Sequence, residues 1–189
     1  LLSELARAQH ASGDIDAAAQ SARDALALTP TDAYPMRIYA SILVDLDCRE
    51  EGLSWARWAV DTDPFDHSTH YEYARLLVMA GEAAAALPVA IEALRLVPAD
   101  ADAHVLLGVV LGKLGRSAES TAEFEEALRL EPEHAQALAS IAAYEANGWN
   151  LRGAFEGFNA AARLDPHIGD EVAVAAEELV VAPGAVDPA

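Results

Sequence analysis

Five prolines set the frame for everything else in this chain. Pro30, Pro64, Pro98, Pro132 and Pro166 are each 34 residues apart, and a period of that length is the mark of a repeat architecture rather than of a single compact domain. The residues before each proline recur as well: Ala25 to Thr29, Ala59 to Asp63, Ala93 to Val97, Ala127 to Glu131 and Ala161 to Asp165. A chain of 189 residues that is 53% hydrophobic has enough apolar surface to fold, but a repeat of 34 must bury that surface against its neighbours.

Aligning the prolines exposes two helical stripes per copy. Leu5, Tyr39, Tyr73, Leu107 and Ile141 recur in one register, each followed by a small residue: Ala6, Ala40, Ala74, Gly108 and Ala142. A small side chain directly after a large one lets a neighbouring helix approach closely. The second half of each copy carries Ala18, Gly52, Ala86, Ser120 and Ala154, then Ala22, Ala56, Ala90, Phe124 and Phe158, at the spacing of an amphipathic helix. Each copy therefore reads as two helices.

The turn chemistry agrees. Gly13, Gly81 and Gly115 share one register position between the two helices, where a left-handed residue ends a helix at little cost. The second copy offers only Asp45 to Asp47 there, and the fifth offers Asn147 and Gly148. Asp32, Asp66 and Asp100 stand two residues after the prolines, placed to cap the next helix. Pro35 sits in a first helical turn, where its missing N–H costs nothing, whereas Pro88 falls deeper and predicts a late start or a kink.

With these residues in register the chain resembles the tetratricopeptide repeat family, a 34-residue helix-turn-helix with small residues at positions eight, twenty and twenty-seven and proline at thirty-two. The resemblance runs from Leu1 to about Val181. It implies an all-α fold, a right-handed α-α solenoid of about five repeats with a C-terminal capping helix. The boundaries expected are a partial repeat 1–32, full repeats 33–66, 67–100, 101–134 and 135–168, a cap helix 170–181 that solvates the open end, and a tail 182–189. Two departures stand out: position four, usually large and apolar in the family, holds His70 and His104, and Gly52 replaces the expected alanine.

Charge narrows the partners. Twelve Lys and Arg against 31 Asp and Glu give a net charge of −19, a field that repels nucleic acid and anionic lipid heads. No run approaches the roughly 18 apolar residues of a membrane span, so neither nucleic acid nor membrane insertion is expected. Cys48, the one cysteine, excludes an internal disulfide and reads as a small apolar thiol, which mildly favours reducing conditions. A cytoplasmic setting is expected for this piece, which begins with Leu1 and reads as part of something longer, the parent protein being free to differ.

Catalysis finds little footing. There is no glycine-rich phosphate loop, no His-Glu-x-x-His and no serine elbow. His67, His70 and His104 suggest zinc only weakly, because His70 and His104 occupy packing positions on helices about 10 Å apart. No catalytic residue, metal or cofactor is expected.

Surface remains. In the family the resemblance names, first helices line a concave groove that meets partners through positions two, five, six, nine, twelve and thirteen. Carried onto this chain, one end of the groove holds Arg7, Tyr34, Arg37, Tyr71 and Arg75, suited to an acidic segment or a peptide carboxylate. Glu4, Asp45 and Glu72 are close enough in register to pair with those arginines instead. The other end holds Val105, Val109, Ala139, Ala143 and Ala173, an apolar stretch suited to an amphipathic helix, unless these residues are spent in helix contacts. The carboxylate clamp of one subclass is opposed: the best window offers Arg37 and Ser41, then Glu72, then Asp102 and Leu106. On a second helix Trp58 turns outward, a candidate convex contact with Trp55 more protected. Two functions follow. One is a scaffold that binds a protein or peptide partner in its groove. The other is a structural module of a larger chain that self-associates through exposed apolar surface, which leaves room for homo-oligomers.

Overall fold

The computed structural model describes residues 1–147 and 151–165, with side chains for 1–143 and 156–165. The described residues contain ten α-helices and no strand: α1 Leu2–Ala11, α2 Ile15–Leu28, α3 Ala33–Asp45, α4 Arg49–Thr62, α5 His67–Met79, α6 Ala83–Leu96, α7 Ala101–Lys113, α8 Ser117–Leu130, α9 Ala135–Asn147 and α10 Leu151–Leu164. From α3 on, first helices begin at 33, 67, 101 and 135, and second helices begin at 15, 49, 83, 117 and 151. The 34-residue sequence period is thus the structural period. The expected cap helix 170–181, the tail and the turn at Gly148 lie outside the described residues.

Local chemistry sets each boundary. Asp32 accepts from the Tyr34 amide at 3.0 Å, Asp66 from Ser68 at 3.0 Å and Asp100 from Ala103 at 2.9 Å, satisfying amides that a helix start leaves orphaned. At the same register position before α9 stands His134, whose Nδ1 accepts from the Ala137 amide at 3.4 Å. Between paired helices one turn recurs four times. Gly13, Asp47, Gly81 and Gly115 all take positive φ, and the amides there and one residue later bond back over three and five residues, as in Gly81 to Val78 and Glu82 to Leu77. That is the Schellman geometry, and Asp47 adopts it in the copy that lacks glycine.

Pro88 does not delay its helix. α6 begins at Ala83 in the common register with Pro88 inside it. The proline deprives the Ala84 carbonyl of its donor, but both residues are exposed, so water can take that bond and the helix keeps its start.

Packing explains the curvature. Each first helix packs on its own second helix, each second helix packs on the next first helix, and successive first helices touch one another. Among the described residues the backbones of successive second helices stand further apart than those of successive first helices. A tight inner row and a splayed outer row curve the stack, with first helices on the concave side. The core runs as a string of clusters between repeats, among them Ala40, Ala56 and Leu76 joining the second repeat to the third. Fully buried Met36, Ile42, Leu76 and Val110 each contribute roughly 1.5–3 kcal/mol by leaving water.

Candidate functional site: the concave face

The inner row places the predicted basic end on α1, α3 and α5. Arg7 forks onto Glu4 of its own helix, Nε and Nη2 donating to Oε2 at 3.1 and 2.9 Å. The Tyr34 hydroxyl donates to the other oxygen of Glu4 at 2.7 Å, tying α3 to α1. Those two donors hold the Glu4 carboxyl below its usual range, Tyr34 first and Arg7 second. Asp45, read from sequence as an arginine partner, instead meets His10 across the same helix pair.

Arg75 is also committed. Its Nε and Nη2 donate to Glu72 at 2.9 and 2.7 Å, and the same Nη2 reaches Ser41 on α3 at 3.2 Å. Glu72 raises the guanidinium pKa further. Tyr71 is half-buried and packed on the cluster of Leu106, Leu107 and Val110, so much of its ring is spent between α5 and α7 instead of facing the groove. Burial, followed by the charge of Asp102, pushes its hydroxyl up to about 12. His67 stacks on it with ring centroids 6.1 Å apart, and its Nε2 lies 3.0 Å from Asp100 but out of line for a hydrogen bond.

Arg37 differs from both. Its guanidinium carbon sits 5.1 Å from the centroid of the Tyr34 ring, a cation–π contact, and its buried Nε has no hydrogen-bond partner. No carboxylate among the described residues pairs with it.

The predicted apolar end needs correction. Val105 is 6% exposed and Ala139 7%, so neither is open groove. Val105 packs with Phe124 and Ala127 of its own repeat and Ala137 of the next, and Ala139 packs with Ala161 inside the fifth repeat. Val109 is half-buried and Ala143 exposed. Ala173 lies outside the described residues. On the outer side Trp58 is 51% exposed and stacks on Trp55 at 5.0 Å, while Trp55 is half-buried and meets Tyr39 edge-on at 5.5 Å.

Residues 101–134 match the family model of the tetratricopeptide repeat, and the helix pair they form recurs in register along the described chain. The chain carries a tetratricopeptide repeat. Solved structures of similar fold include a thermophilic tetratricopeptide-repeat protein of Thermus thermophilus, with a TM-score of 0.82 at 22% identity over 95% of this chain and 98% of that one. PilW, a type IV pilus biogenesis factor, has a TM-score of 0.78 at 20% identity over 86% and 76%. YrrB, described as having an unusual peptide-binding site, has a TM-score of 0.63 at 21% identity over 87% and 85%. No curated protein matches the sequence.

Histidine contacts between successive first helices and their caps were missed from sequence. His10 meets Asp45, His67 lies against Asp100, and the His134 Nε2 donates to Asp102 at 3.0 Å. Partners 32 to 35 residues apart are one repeat apart, so scanning for opposite polarity near that spacing would have found them. His70 and His104 are held locally: His70 Nδ1 lies 3.1 Å from the Asp66 carbonyl, and His104 Nδ1 lies 2.7 Å from Glu123. Among the described residues no group of three His, Cys, Asp or Glu is poised to hold a metal ion, and no helix is long and apolar enough to cross a membrane.

Proposed function

We propose that this chain is a non-enzymatic scaffold that takes an acidic segment or a peptide carboxylate along its concave face, with Arg37 as the principal ligand-binding cation and Tyr34 beside it. The observation that carries this reading is the contrast among the three groove arginines: Arg7 and Arg75 are neutralised by Glu4 and Glu72, and Arg37 is not. A half-buried guanidinium with no carboxylate beside it favours a ligand carboxylate more than a paired surface arginine does, because the Coulomb attraction is less screened and no internal partner competes. Arg75 and Ser41 would fix the wall beside it, and Tyr71 would keep its exposed edge for the peptide. A cytoplasmic setting agrees with the single free cysteine, Cys48.

The test is fluorescence anisotropy with labelled 12-residue peptides rich in Asp and Glu, beside matched peptides rich in Asn and Gln. Arg37→Ala should weaken the acidic peptides roughly tenfold to a hundredfold, the worth of one charge-assisted bond, and flatten the salt dependence. Arg7→Ala should change binding much less. Equal affinity for both peptide sets, insensitive to Arg37→Ala, would refute the reading.

A second reading, self-association through the outer face, draws on Trp58 at 51%, Ile91 at 50% and Phe65 at 78% exposure. It predicts that the mass in solution rises with concentration and that Trp58→Ser abolishes the rise.

A further inference from the structure

Adjacent first helices are cross-linked differently along the inner row. His10 and Asp45 join α1 to α3, and Arg75 and Ser41 join α3 to α5. Between α5 and α7 the ring of Tyr71 fills the joint. Between α7 and α9 the link is His134 to Asp102, at the helix beginnings, and further along the two helices the facing residues are small. A cleft of about 580 Å³ opens there, bounded by Val109 and Gly112 of α7 and Ser140 and Ala143 of α9. That volume lies in the range of ligand pockets.

Its floor is apolar and fixed. Phe124 of α8 lies at the base, 6% exposed, and is held because a Cβ on Gly108 would fall 2.5 Å from its ring. The Ser120 hydroxyl also lines the cleft but already donates to the Gly108 carbonyl at 2.7 Å, so it offers no free proton to a ligand. At the rim stands Lys113, the chain's one lysine. It pairs with no carboxylate among the described residues, whereas Arg116 at the N-cap of α8 and Arg129 on α8 fork onto Glu119 and Glu126.

We propose that this cleft is a side-chain pocket for a partner peptide, taking one large apolar side chain against Phe124 while a carboxylate of the adjacent peptide residue meets Lys113. The proposal rests on the reading that the concave face binds peptide, and it adds a specificity determinant some two repeats from Arg37. Charge complementarity selects the occupant. In a chain of net charge −19 a cation left unpaired beside an apolar slot marks where an anion is tolerated, and the apolar floor gains only from a group that leaves water. Arg37 alone would accept any acidic segment, whereas the two sites together require an acidic peptide with a bulky apolar residue at a set distance.

The experiment selects binders from a phage-displayed random 12-residue library on the full chain, then measures the selected peptides by anisotropy against four proteins: wild type, Ser140→Phe, Lys113→Glu and Arg37→Ala. Ser140→Phe fills the slot from the half-buried face of α9, and the far-UV spectrum and melting temperature control for folding. The expected result is a consensus of a large apolar residue next to Asp or Glu. Ser140→Phe should weaken it about tenfold or more, and Lys113→Glu should weaken it strongly in low salt and little in high salt. Selected peptides that respond to Arg37→Ala but to neither slot variant would overturn the pocket and leave the scaffold reading standing. Failure to select any peptide would overturn both. If no peptide is selected and Ser140→Phe makes residues 166–189 newly sensitive to protease, the occupant is the chain's own C-terminal segment, which also overturns the proposal.

Discussion

Tyr71 shows how one residue can satisfy two expectations at once. Sequence placed it in the groove, at position five of its repeat, and the structure keeps it on that helix face yet half-buries it between α5 and α7. Its hydroxyl is pushed up to about 12 from an ordinary value near 10, mainly by burial, which disfavours the phenolate. The folded value lies above the unfolded one, so the protein is favoured in full below pH 10. Stability is lost as pH rises from 10 through 12, where the unfolded chain ionises first. Tyr71→Phe should therefore flatten the fall in urea midpoint between pH 10 and pH 12 while leaving the midpoint at pH 7 within about 1 kcal/mol of wild type; an unchanged alkaline slope would contradict the burial of this ring. Gly108 and Phe124 carry a second residue-scale lesson. The first three copies place alanine at both positions, and only the contact shows that the Phe124 ring occupies the space the missing Gly108 methyl leaves. Gly52 is likewise explained: a Cβ there would fall 2.8 Å from Val44 and 2.9 Å from the Ala40 carbonyl.

At the scale of elements, register was legible almost throughout, because the helix starts depend on cap and turn residues that recur every 34 positions. Asp32, Asp66 and Asp100 were readable as caps on chemistry alone. His134 was not, since a histidine accepting at an N-cap depends on its ring orientation and on Asp102 one repeat away. Pro88 misled in the opposite direction: propensity argued for a late start or a kink, and with solvent access at Ala84 the helix keeps its start. The second turn offers a quantitative check. Asp47 holds φ at 60° where three other copies use glycine, a conformation that costs a side-chain-bearing residue roughly 1–2 kcal/mol. Its exposed ion pair with Arg49 at 3.2 Å contributes little against that. Asp47→Gly should raise stability by about 1 kcal/mol in urea unfolding without changing the slope, and a loss of stability would show that the Asp47 side chain is needed at this turn.

At the scale of the molecule, the period predicted the architecture. What the sequence did not separate was availability from occupation. Arg7, Arg37 and Arg75 are equivalent as letters, and their difference arises from Glu4, Glu72 and Tyr34, whose reach across helix joints depends on side-chain directions. Val105 and Ala139 were equivalent to Val109 in pattern, and packing against Phe124, Ala127 and Ala137 buries the first while Ala161 of α10 covers the second. The same logic placed Trp58 outward, since its neighbours Ala56 and Ala59 are buried at 2% and 1% exposure. The account's central claim is that the concave face, at Arg37, is the binding surface. Its most direct test is a titration of isotope-labelled protein with an acidic 12-residue peptide, followed by backbone and arginine side-chain NMR shifts. The largest changes should fall on Tyr34, Arg37, Ser41 and Tyr71; changes confined to the outer face around Trp58 and Ile91, or none on α3, would show that the binding surface lies elsewhere.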